Sequence, residues 1–308
     1  MVRARDTPSP KGISVALSQE ATGSMPNPST FSCGLAYHAV LRVEAGRLDE
    51  FRKAPPSARG SALSAGFLKH VDAQTLLGMA AIDRAMQDSP FPPDSPLRNL
   101  DRWGVIAAPR FLGRVTLTPV IANFNVEGAW GVSPHHVPHR SLHSFSGTVS
   151  QVFRMHGPNF GAGGGPGCEI EGLLAAVSTL AGSDLPGLWL AITRIEPELP
   201  PVNTNHIDPK ATVEAVVLGL VPLAAGCPLR MELTHGLPAK EDTEPFDLGT
   251  LAAMLNRLDQ GHETSAALGP AGWISLRPSP KTLAGPHALE RFPSRSALSV
   301  ETDRRMPS

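Results

Sequence analysis

The chain has few of the residues and patterns that define several large classes of protein. Its only cysteines are Cys33, Cys168 and Cys227, and no two of them form a C-x-x-C pair. This argues against a disulfide scaffold or a zinc site and favours the reducing cytoplasm. No run reaches the roughly 18 uninterrupted apolar residues of a membrane helix, and the N-terminus lacks a signal-peptide core. We therefore expect a cytoplasmic protein with no membrane partner.

Net charge is also nearly absent. The 27 basic and 28 acidic residues give a formal charge of −1, and the sequence pI is near 6.8. Such a balance makes no electrostatic case for a nucleic-acid partner. By contrast, 31 prolines and 29 glycines beside a single tyrosine indicate a turn-rich chain. The 308 residues suffice for one large α/β domain or two small ones.

Composition divides the chain into three parts. Residues 1–30 are rich in Ser, Pro and Thr without periodicity, which predicts a flexible N-terminal arm. The Pro, Ser and Arg content of residues 278–308 predicts a loose C-terminal tail. The folded domain is therefore expected over residues 31–277.

Apolar periodicity predicts helices and strands within this domain. Asp72 is a plausible N-cap of an amphipathic helix that the prolines from Pro90 onward end, and Asp247 caps a second helix that stops near Gly261. Between them, the stretch from Leu173 to Ala181 is almost wholly apolar, and we expect a helix buried on every face. Apolar and β-branched runs predict strands at 103–108, 188–195, 213–221 and 229–233. The apolar run at 31–43 fits a strand or a short buried helix, and a strand is favoured.

A glycine-rich turn precedes that apolar helix and reads GAGGGPGC. Because no helix or ladder can run through it, the backbone must turn tightly there. A glycine turn that leads into a helix N-terminus is a common mount for reactive or anion-binding groups. We expect an active-site elbow or the remains of one. Its glycines are Gly161, Gly163, Gly164, Gly165 and Gly167, and they surround Pro166.

Several short motifs surround this turn, in the order S-x-x-S-x-S-G-x-x-S, H-G-P-N, the glycine-rich turn and E-G-L-L-A-A. This order resembles the N-terminal half of β-ketoacyl synthases of the thiolase fold, in which the corresponding motifs are N-S-x-x-G, G-P-N and T-A-C-x-S-G. The resemblance covers about residues 65–225, and its flanking segments, in the family's order, are 67–89, 103–109, 188–198 and 211–223. It implies an α/β, thiolase-like single N-terminal-half domain with a central mixed sheet and a buried site helix.

The same resemblance implies partners. These are an acyl carrier protein or acyl thioester, and either a second copy or a synthase-type subunit in a dimer. In the family the region matching residues 110–140 runs along the dimer interface and over the acyl-binding space, so we expect an interface there. No cofactor is implied.

In that family a cysteine at the start of the site helix accepts the acyl group. Counting forward from G-P-N, its position falls on Pro166, whereas alignment on Gly172 places it on Glu169. Cys168 lies between them and becomes the nucleophile only if the glycine run holds an insertion. A helix N-terminus lowers a thiol's pKa, but the carboxylates of Glu169 and Glu171 oppose ionisation. The alternative interpretation of Cys168 is a small buried apolar residue.

The two histidine motifs of the condensing enzymes, H-G-T-x-T and N-S-x-x-F-G-G-x-N, do not occur here. His235 and His262 stand in other contexts, and we expect both on the surface or in loops. The hypothesis is a β-ketoacyl-synthase-like protein of fatty-acid or polyketide-type metabolism without condensing activity, an accessory or chain-length-type partner subunit. The alternative is an active acyltransferase or thioesterase that uses Cys168 with His143 or His156 as base.

Two further motifs are similar to ligand sites, one for a metal and one for a dinucleotide. The spacing H-H-x-x-H-x-x-x-H could hold a metal, but Pro134 and Pro138 interrupt any helix there, so we predict a polar loop and no metal. A dinucleotide turn needs G-x-G-x-x-G directly after a strand, and Pro166 occupies the place of the third glycine. We predict no nucleotide cofactor. The histidines of the first motif are His135, His136, His139 and His143.

Overall fold

A computed structural model describes residues 29–53, 65–133, 141–200, 206–223, 227–235 and 245–279. The strands in these ranges are β1 (Ser29–Glu44), β2 (Gly104–Pro109), β3 (Asn159–Gly161), β4 (Leu188–Glu196), β5 (Thr212–Val221), β6 (Leu229–His235), β7 (Thr264–Ala267) and β8 (Trp273–Pro278). The helices are α1 (Leu48–Lys53), α2 (Ala65–Leu68), α3 (Ala73–Gln87), α4 (Arg114–Glu127), α5 (Leu142–Phe153), α6 (Cys168–Ala181) and α7 (Leu248–Asp259).

The strands form one mixed sheet in the order β3-β2-β4-β5-β1-β6-β8-β7. β2 runs parallel to β3 and β4, and the remaining neighbours are antiparallel. All six residues of β2 are buried, as their unbroken apolar run predicts for a strand covered on both faces. The predicted strands at 103–108, 188–195 and 213–221 are confirmed as adjacent members of this sheet.

Helices cover both faces of the sheet. α3 and α5 pack on one face, where Tyr37 stacks on Trp189 with ring centroids 5.3 Å apart and Trp103 lies 5.9 Å from the Tyr37 ring. α6 and α7 pack on the other face. The result is a three-layer α/β/α arrangement, which matches the predicted α/β class.

Two of the predicted helix starts are confirmed by their caps. The side chain of Asp72 accepts a hydrogen bond from the Gln74 backbone N–H at 2.8 Å, and α3 begins at Ala73. The side chain of Asp247 likewise accepts from the Thr250 backbone N–H at 2.8 Å, and α7 follows. Each cap satisfies a backbone donor that the first helical turn leaves unpaired.

The expectation that the apolar helix is buried on every face is wrong. α6 packs one face on the sheet, as predicted, but Leu174 on the opposite face is 37% exposed and Ser178 is exposed too. The contact with the sheet is close because Gly172 has no side chain: a Cβ there would lie 2.6 Å from the Cβ of Ala108. The outer apolar face of α6 has no cover among the described residues.

Several elements were not predicted. α4 follows Gly113, whose φ is +69°, and contains Pro119. β7 and β8 extend the sheet to Pro278, beyond the last element that periodicity indicated. The segment 67–89 also contains the end of α2, a break and then α3, where the resemblance predicted one helix. The helices α1 and α5 and the short strand β3 were not predicted either.

The predicted N-terminal arm and C-terminal tail fall almost entirely outside the described residues, as do His135, His136 and His139. Among the residues that the structure describes, no helix has both the length and the apolar character needed to cross a membrane.

Candidate functional site

The glycine turn lies at the edge of the sheet where the parallel strands β2, β3 and β4 end. β3 ends at Gly161, the turn follows, and α6 begins at Cys168. In open α/β sheets, ligands bind outside the carboxyl ends of the strands, often at helix N-termini. The turn is therefore in the right place for a site.

The neighbouring strand end and the conformations of the glycines hold the turn in place. The backbone N–H of Ala162 donates to the Ala107 carbonyl at 2.8 Å, and that of Phe111 donates to the Gly164 carbonyl at 3.0 Å. Gly163 and Gly164 have φ of +71° and +114°, which L side chains rarely adopt. A Cβ on Gly163 would also lie 2.7 Å from the Cβ of Cys168. Glycine is therefore needed to place the turn against the start of α6.

Cys168 is the first residue of α6 and is fully buried. Burial raises the pKa of its thiol well above the usual range, and the nearby charge of Glu169 and a hydrogen bond to that carboxylate raise it further. Arg110 lowers this pKa by less. The thiol is therefore protonated near neutral pH despite its place at a helix N-terminus. Its role as acyl acceptor remains a prediction.

The two other candidate nucleophile positions differ sharply. Pro166 lies exposed on the turn and has no nucleophilic group. Glu169 is buried in the first turn of α6 with 1% of its surface exposed, and within the described part of the chain its Oε1 has no hydrogen-bond partner. A buried carboxylate oxygen without a donor is costly, and Glu169 is the one carboxylate among the seven described residues with such an unpaired buried atom.

The candidate histidines do not join Cys168. His143 is exposed at the start of α5, and its Nε2 lies 3.6 Å from the point where a Gly147 Cβ would be. His156 is exposed, with Nδ1 3.8 Å from the Asp101 carboxylate. Among the described residues no imidazole hydrogen-bonds to the thiol. His235 and His262 are exposed, as expected.

No metal site is found in the described ranges, where no group of three His, Cys, Asp or Glu side chains converges. His143 is the only described member of the four-histidine motif. The structure therefore offers no described ligand set on which metal chemistry could be built.

Sequence reasoning missed a charged cluster directly after β2. Glu198 pairs with Arg110 at 2.5 Å and with Arg114 at 3.4 Å. The Arg114 guanidinium also lies 3.4 Å from the Phe111 ring centroid, and Phe111 has φ of +54°. This cluster fastens the start of α4 to the loop after β4. The basic residues of R-F-L-G-R after a buried strand were the available signal.

α4 and the turn after it carry an exposed apolar surface. None of the residues of α4 is buried. We name this surface the apolar ridge; it comprises Ile121, Phe124, Val126 and Trp130, which are 52–98% exposed. Phe160 in β3 and Leu174 in α6 are exposed as well. Several large exposed apolar side chains on one short segment are typical of an interaction site.

Comparison with known proteins gives matches to solved structures only. No protein-family model matches the sequence, and no curated protein matches it. A chain of the ketosynthase (ApeO) and chain length factor (ApeC) complex from Xenorhabdus doucetiae aligns with a TM-score of 0.51 at 14% identity, over 80% of this chain and 99% of that one.

Two further structures align less closely. A β-ketoacyl synthase from Burkholderia phymatum has a TM-score of 0.45 at 12% identity, over 75% of this chain and 69% of that one. The ishigamide ketosynthase/chain length factor has 0.44 at 13%, over 65% of each chain. The fold predicted from the turn and its flanking motifs is confirmed by the Xenorhabdus match: the chain has the thiolase-like α/β fold of the ketosynthases.

Proposed function

We propose that the protein is a β-ketoacyl-synthase-like subunit of fatty-acid or polyketide-type metabolism that lacks condensing activity. It acts as an accessory or chain-length-type partner. The observation that carries this proposal is the start of α6, where the Cys168 thiol is fully buried and its pKa is raised by burial and by the charge of Glu169. A covalent acyl intermediate needs an accessible, deprotonated nucleophile and a base. The Cys168 thiol is buried and protonated, and no imidazole base contacts it among the described residues.

The apolar ridge supports a role in association. α4 is an apolar helix with no buried residue, fastened at its start by Arg114 and Glu198. A helix gains most of its stability when its apolar face packs against another surface. An apolar helix that stays exposed to water gains little stability from its position in the fold. We infer that a partner subunit covers the ridge. The Xenorhabdus match is to a chain of a ketosynthase and chain length factor complex, which agrees with a synthase-type partner.

The outer edge of β3 supports the same inference. Within the described part of the chain, β3 is the edge strand of the sheet and pairs with β2 alone. Its outward edge therefore has unpaired backbone groups, and Phe160 on it is exposed. An association through this edge and the ridge would cover both features. In the proposed role the protein is cytoplasmic and meets acyl groups as thioesters on a carrier protein.

Intact-mass measurement after incubation with an octanoyl thioester tests the chemistry. We expect no acyl adduct on the wild type and no condensation with a malonyl thioester. Cys33→Ala is the matched control, because burial raises the pKa of the Cys33 thiol to about 12 in a site away from α6. An adduct that forms on the wild type and on Cys33→Ala, but is lost in Cys168→Ala, would establish the alternative, an active acyltransferase.

Light scattering, alone and with a ketosynthase, tests the association. We expect wild-type protein to form a dimer with itself or with the synthase, and the variants Phe124→Ser and Trp130→Ser to lose it. Leu223→Ser is the control, since Leu223 is also exposed but lies after β5. A wild-type chain that stays monomeric and ignores the synthase would contradict the proposal.

A further inference from the structure

A groove of about 630 Å³ opens between the C-terminal ends of α3 and α5 and the loop of residues 93–100. Sites for small molecules in proteins usually measure about 300–1,000 Å³. The apolar part of its lining comes from Met86, Leu100, Val152 and Phe153, and the last three are almost fully buried. These four side chains therefore form an apolar floor at the base of the groove.

The groove lies away from the glycine turn. Gln74, near the start of α3, donates a hydrogen bond to the Arg110 carbonyl at 3.0 Å. Leu142, at the start of α5, lies against Gly161 and Gly164. The groove is formed at the other ends of these two helices. At 1.5 Å per residue, this separates it from the turn by roughly 15–20 Å.

Two guanidinium groups line the groove without a carboxylate partner. Within the described ranges neither Arg98 nor Arg154 forms an ion pair, although the Arg98 Nε donates to the Phe91 carbonyl at 3.0 Å. Two carboxylates also line it. Asp83 accepts a hydrogen bond from Gln87 at 2.7 Å, and Asp94 lies on an exposed part of the loop. The arginine forks thus remain open to an added anion.

The backbone of Arg154 provides an independent observation. It ends α5 with φ of +53° and ψ of +48°, a left-handed conformation that glycine usually supplies at this position. Of the ten described residues with positive φ, eight are glycines, and Phe111 and Arg154 are the exceptions. A long cationic side chain is held here at a conformational cost, and strain of this kind concentrates at ligand sites.

We propose that this groove binds a small amphipathic anion. Its carboxylate or phosphate head pairs with Arg98 and Arg154, and its acyl chain lies on the apolar floor. Planar guanidinium groups bind both head groups in a bidentate manner. The inference is independent of the role proposed for α6.

Isothermal titration calorimetry with octanoate, octyl phosphate and octanol tests the proposal. We expect saturable 1:1 binding of at least one of the two anions, and affinity at least about tenfold weaker for octanol, because a charge-assisted pair contributes more than a neutral hydrogen bond. The preferred anion identifies the head group. No saturable binding of either anion, or equal affinity for octanol, would overturn the proposal.

Three variants locate the binding. Arg98→Gln and Arg154→Gly should each weaken binding of the anion at least about tenfold. The control Arg102→Gln removes a nearby exposed arginine that pairs with Asp184 outside the groove, and it should bind as the wild type does. Unchanged binding in both groove variants would show that the anion binds elsewhere, including at the glycine turn, and would refute the assignment.

Arg154→Gly separates binding from folding. Glycine adopts the left-handed conformation without steric cost, so this variant should unfold at a Tm equal to or a few degrees above that of the wild type. Lost binding in a chain of undiminished stability would assign the effect to the missing guanidinium. A lower Tm would show that Arg154 serves the fold instead.

Discussion

Among the described residues two glutamates are almost completely buried, and their surroundings differ. Glu214 in β5 is 2% exposed, and its two oxygens accept from Arg42 at 2.7 Å and from Arg194 at 2.8 Å. Glu169 in α6 is 1% exposed, and its Oε1 has no partner among the described residues. Two arginines of the fold therefore compensate the charge of Glu214. The charge of Glu169 lacks such compensation among the described residues, a cost that natural proteins tolerate at functional sites.

The partners of each glutamate explain this difference. Arg194 also pairs with Asp247 at 2.9 Å and with Glu196 at 3.5 Å, so one guanidinium connects β4, β5 and the cap of α7. Glu169 instead lies next to the Cys168 thiol, and its charge raises the pKa of that thiol beyond the effect of burial. We infer that the Glu214 network stabilises the fold, whereas Glu169 controls the chemistry of its neighbour.

The largest expected effect is that of Arg194→Leu. This change leaves Glu214 buried with Arg42 as its remaining partner, and removing one member of a buried pair costs about 3–5 kcal/mol. We expect the free energy of unfolding, measured in urea, to fall by about 3 kcal/mol. Arg102→Leu is the control, because both Arg102 and Asp184 are exposed, and it should change little. A small effect of Arg194→Leu would mean that the network does not stabilise the fold.

Glu214→Gln should have the next largest effect. The amide keeps the shape but not the charge, and its NH2 group cannot accept, so one of the bonds from Arg42 and Arg194 is lost and the other is weakened. We expect a loss of about 2 kcal/mol in the same urea experiment. Arg194 keeps Asp247 and Glu196, so the loss should be smaller than that of Arg194→Leu. The reverse order would contradict the central place of Arg194.

The same substitution at Glu169 should have the opposite sign. Glutamine removes a buried charge whose Oε1 has no partner, so we expect the unfolding free energy to rise by about 1 kcal/mol. The pKa of Cys168 should fall, because Glu169 raises it through both its charge and its hydrogen bond. Unfolding in urea measures the change in stability, and the pH dependence of thiol alkylation measures the change in the pKa of Cys168. A destabilised Glu169→Gln variant would place Glu169 with Glu214 as a structural charge.

Local chemistry explains what the sequence could predict. The helix starts after Asp72 and Asp247 could be predicted because an N-cap is a local interaction. Strands β2, β4 and β5 could be predicted because strands covered on both faces are largely apolar. The glycine turn was found for the same reason, since its residues adopt conformations that glycine alone readily takes. These features depend on few neighbours along the chain.

What sequence could not predict depends on contacts between distant segments. Pro119 and β-branched neighbours argue against the helix that α4 forms, in which Thr118 Oγ1 donates back to the Arg114 carbonyl at 2.7 Å. The apolar run of α6 led to a wrong prediction of burial on every face, because the run does not indicate which face packs on the sheet. Likewise, the partners of Glu214 come from β1 and β4, and the missing donor of Glu169 has no sequence signature.

The smallest expected effect is that of Asp247→Asn, and it depends on pH. Burial opposes ionisation of Asp247, but hydrogen bonds from Thr250 and Arg194 outweigh it and lower its pKa. A lowered folded-state pKa gives stability that is present above the unfolded pKa of about 3.9 and is lost as pH falls through the folded value. Asparagine caps a helix as well as aspartate does, so the variant keeps an acceptor for Thr250 but removes the charge and the oxygen that accepts from Arg194.

We therefore expect Asp247→Asn to cost about 0.5 kcal/mol at pH 6, since the carboxylate is partly exposed and its pairing with Arg194 is screened. The cost should shrink at pH 3, which lies below the unfolded value of about 3.9, and it should vanish only once the pH falls below the lowered folded pKa. Urea unfolding at the two pH values measures the difference. Asp247→Ala should lose the cap as well, at about 1 kcal/mol that persists at both pH values. If the Asn variant were equally destabilised at pH 3 and pH 6, Asp247 would contribute to the Arg194 network through hydrogen-bond geometry and not through charge.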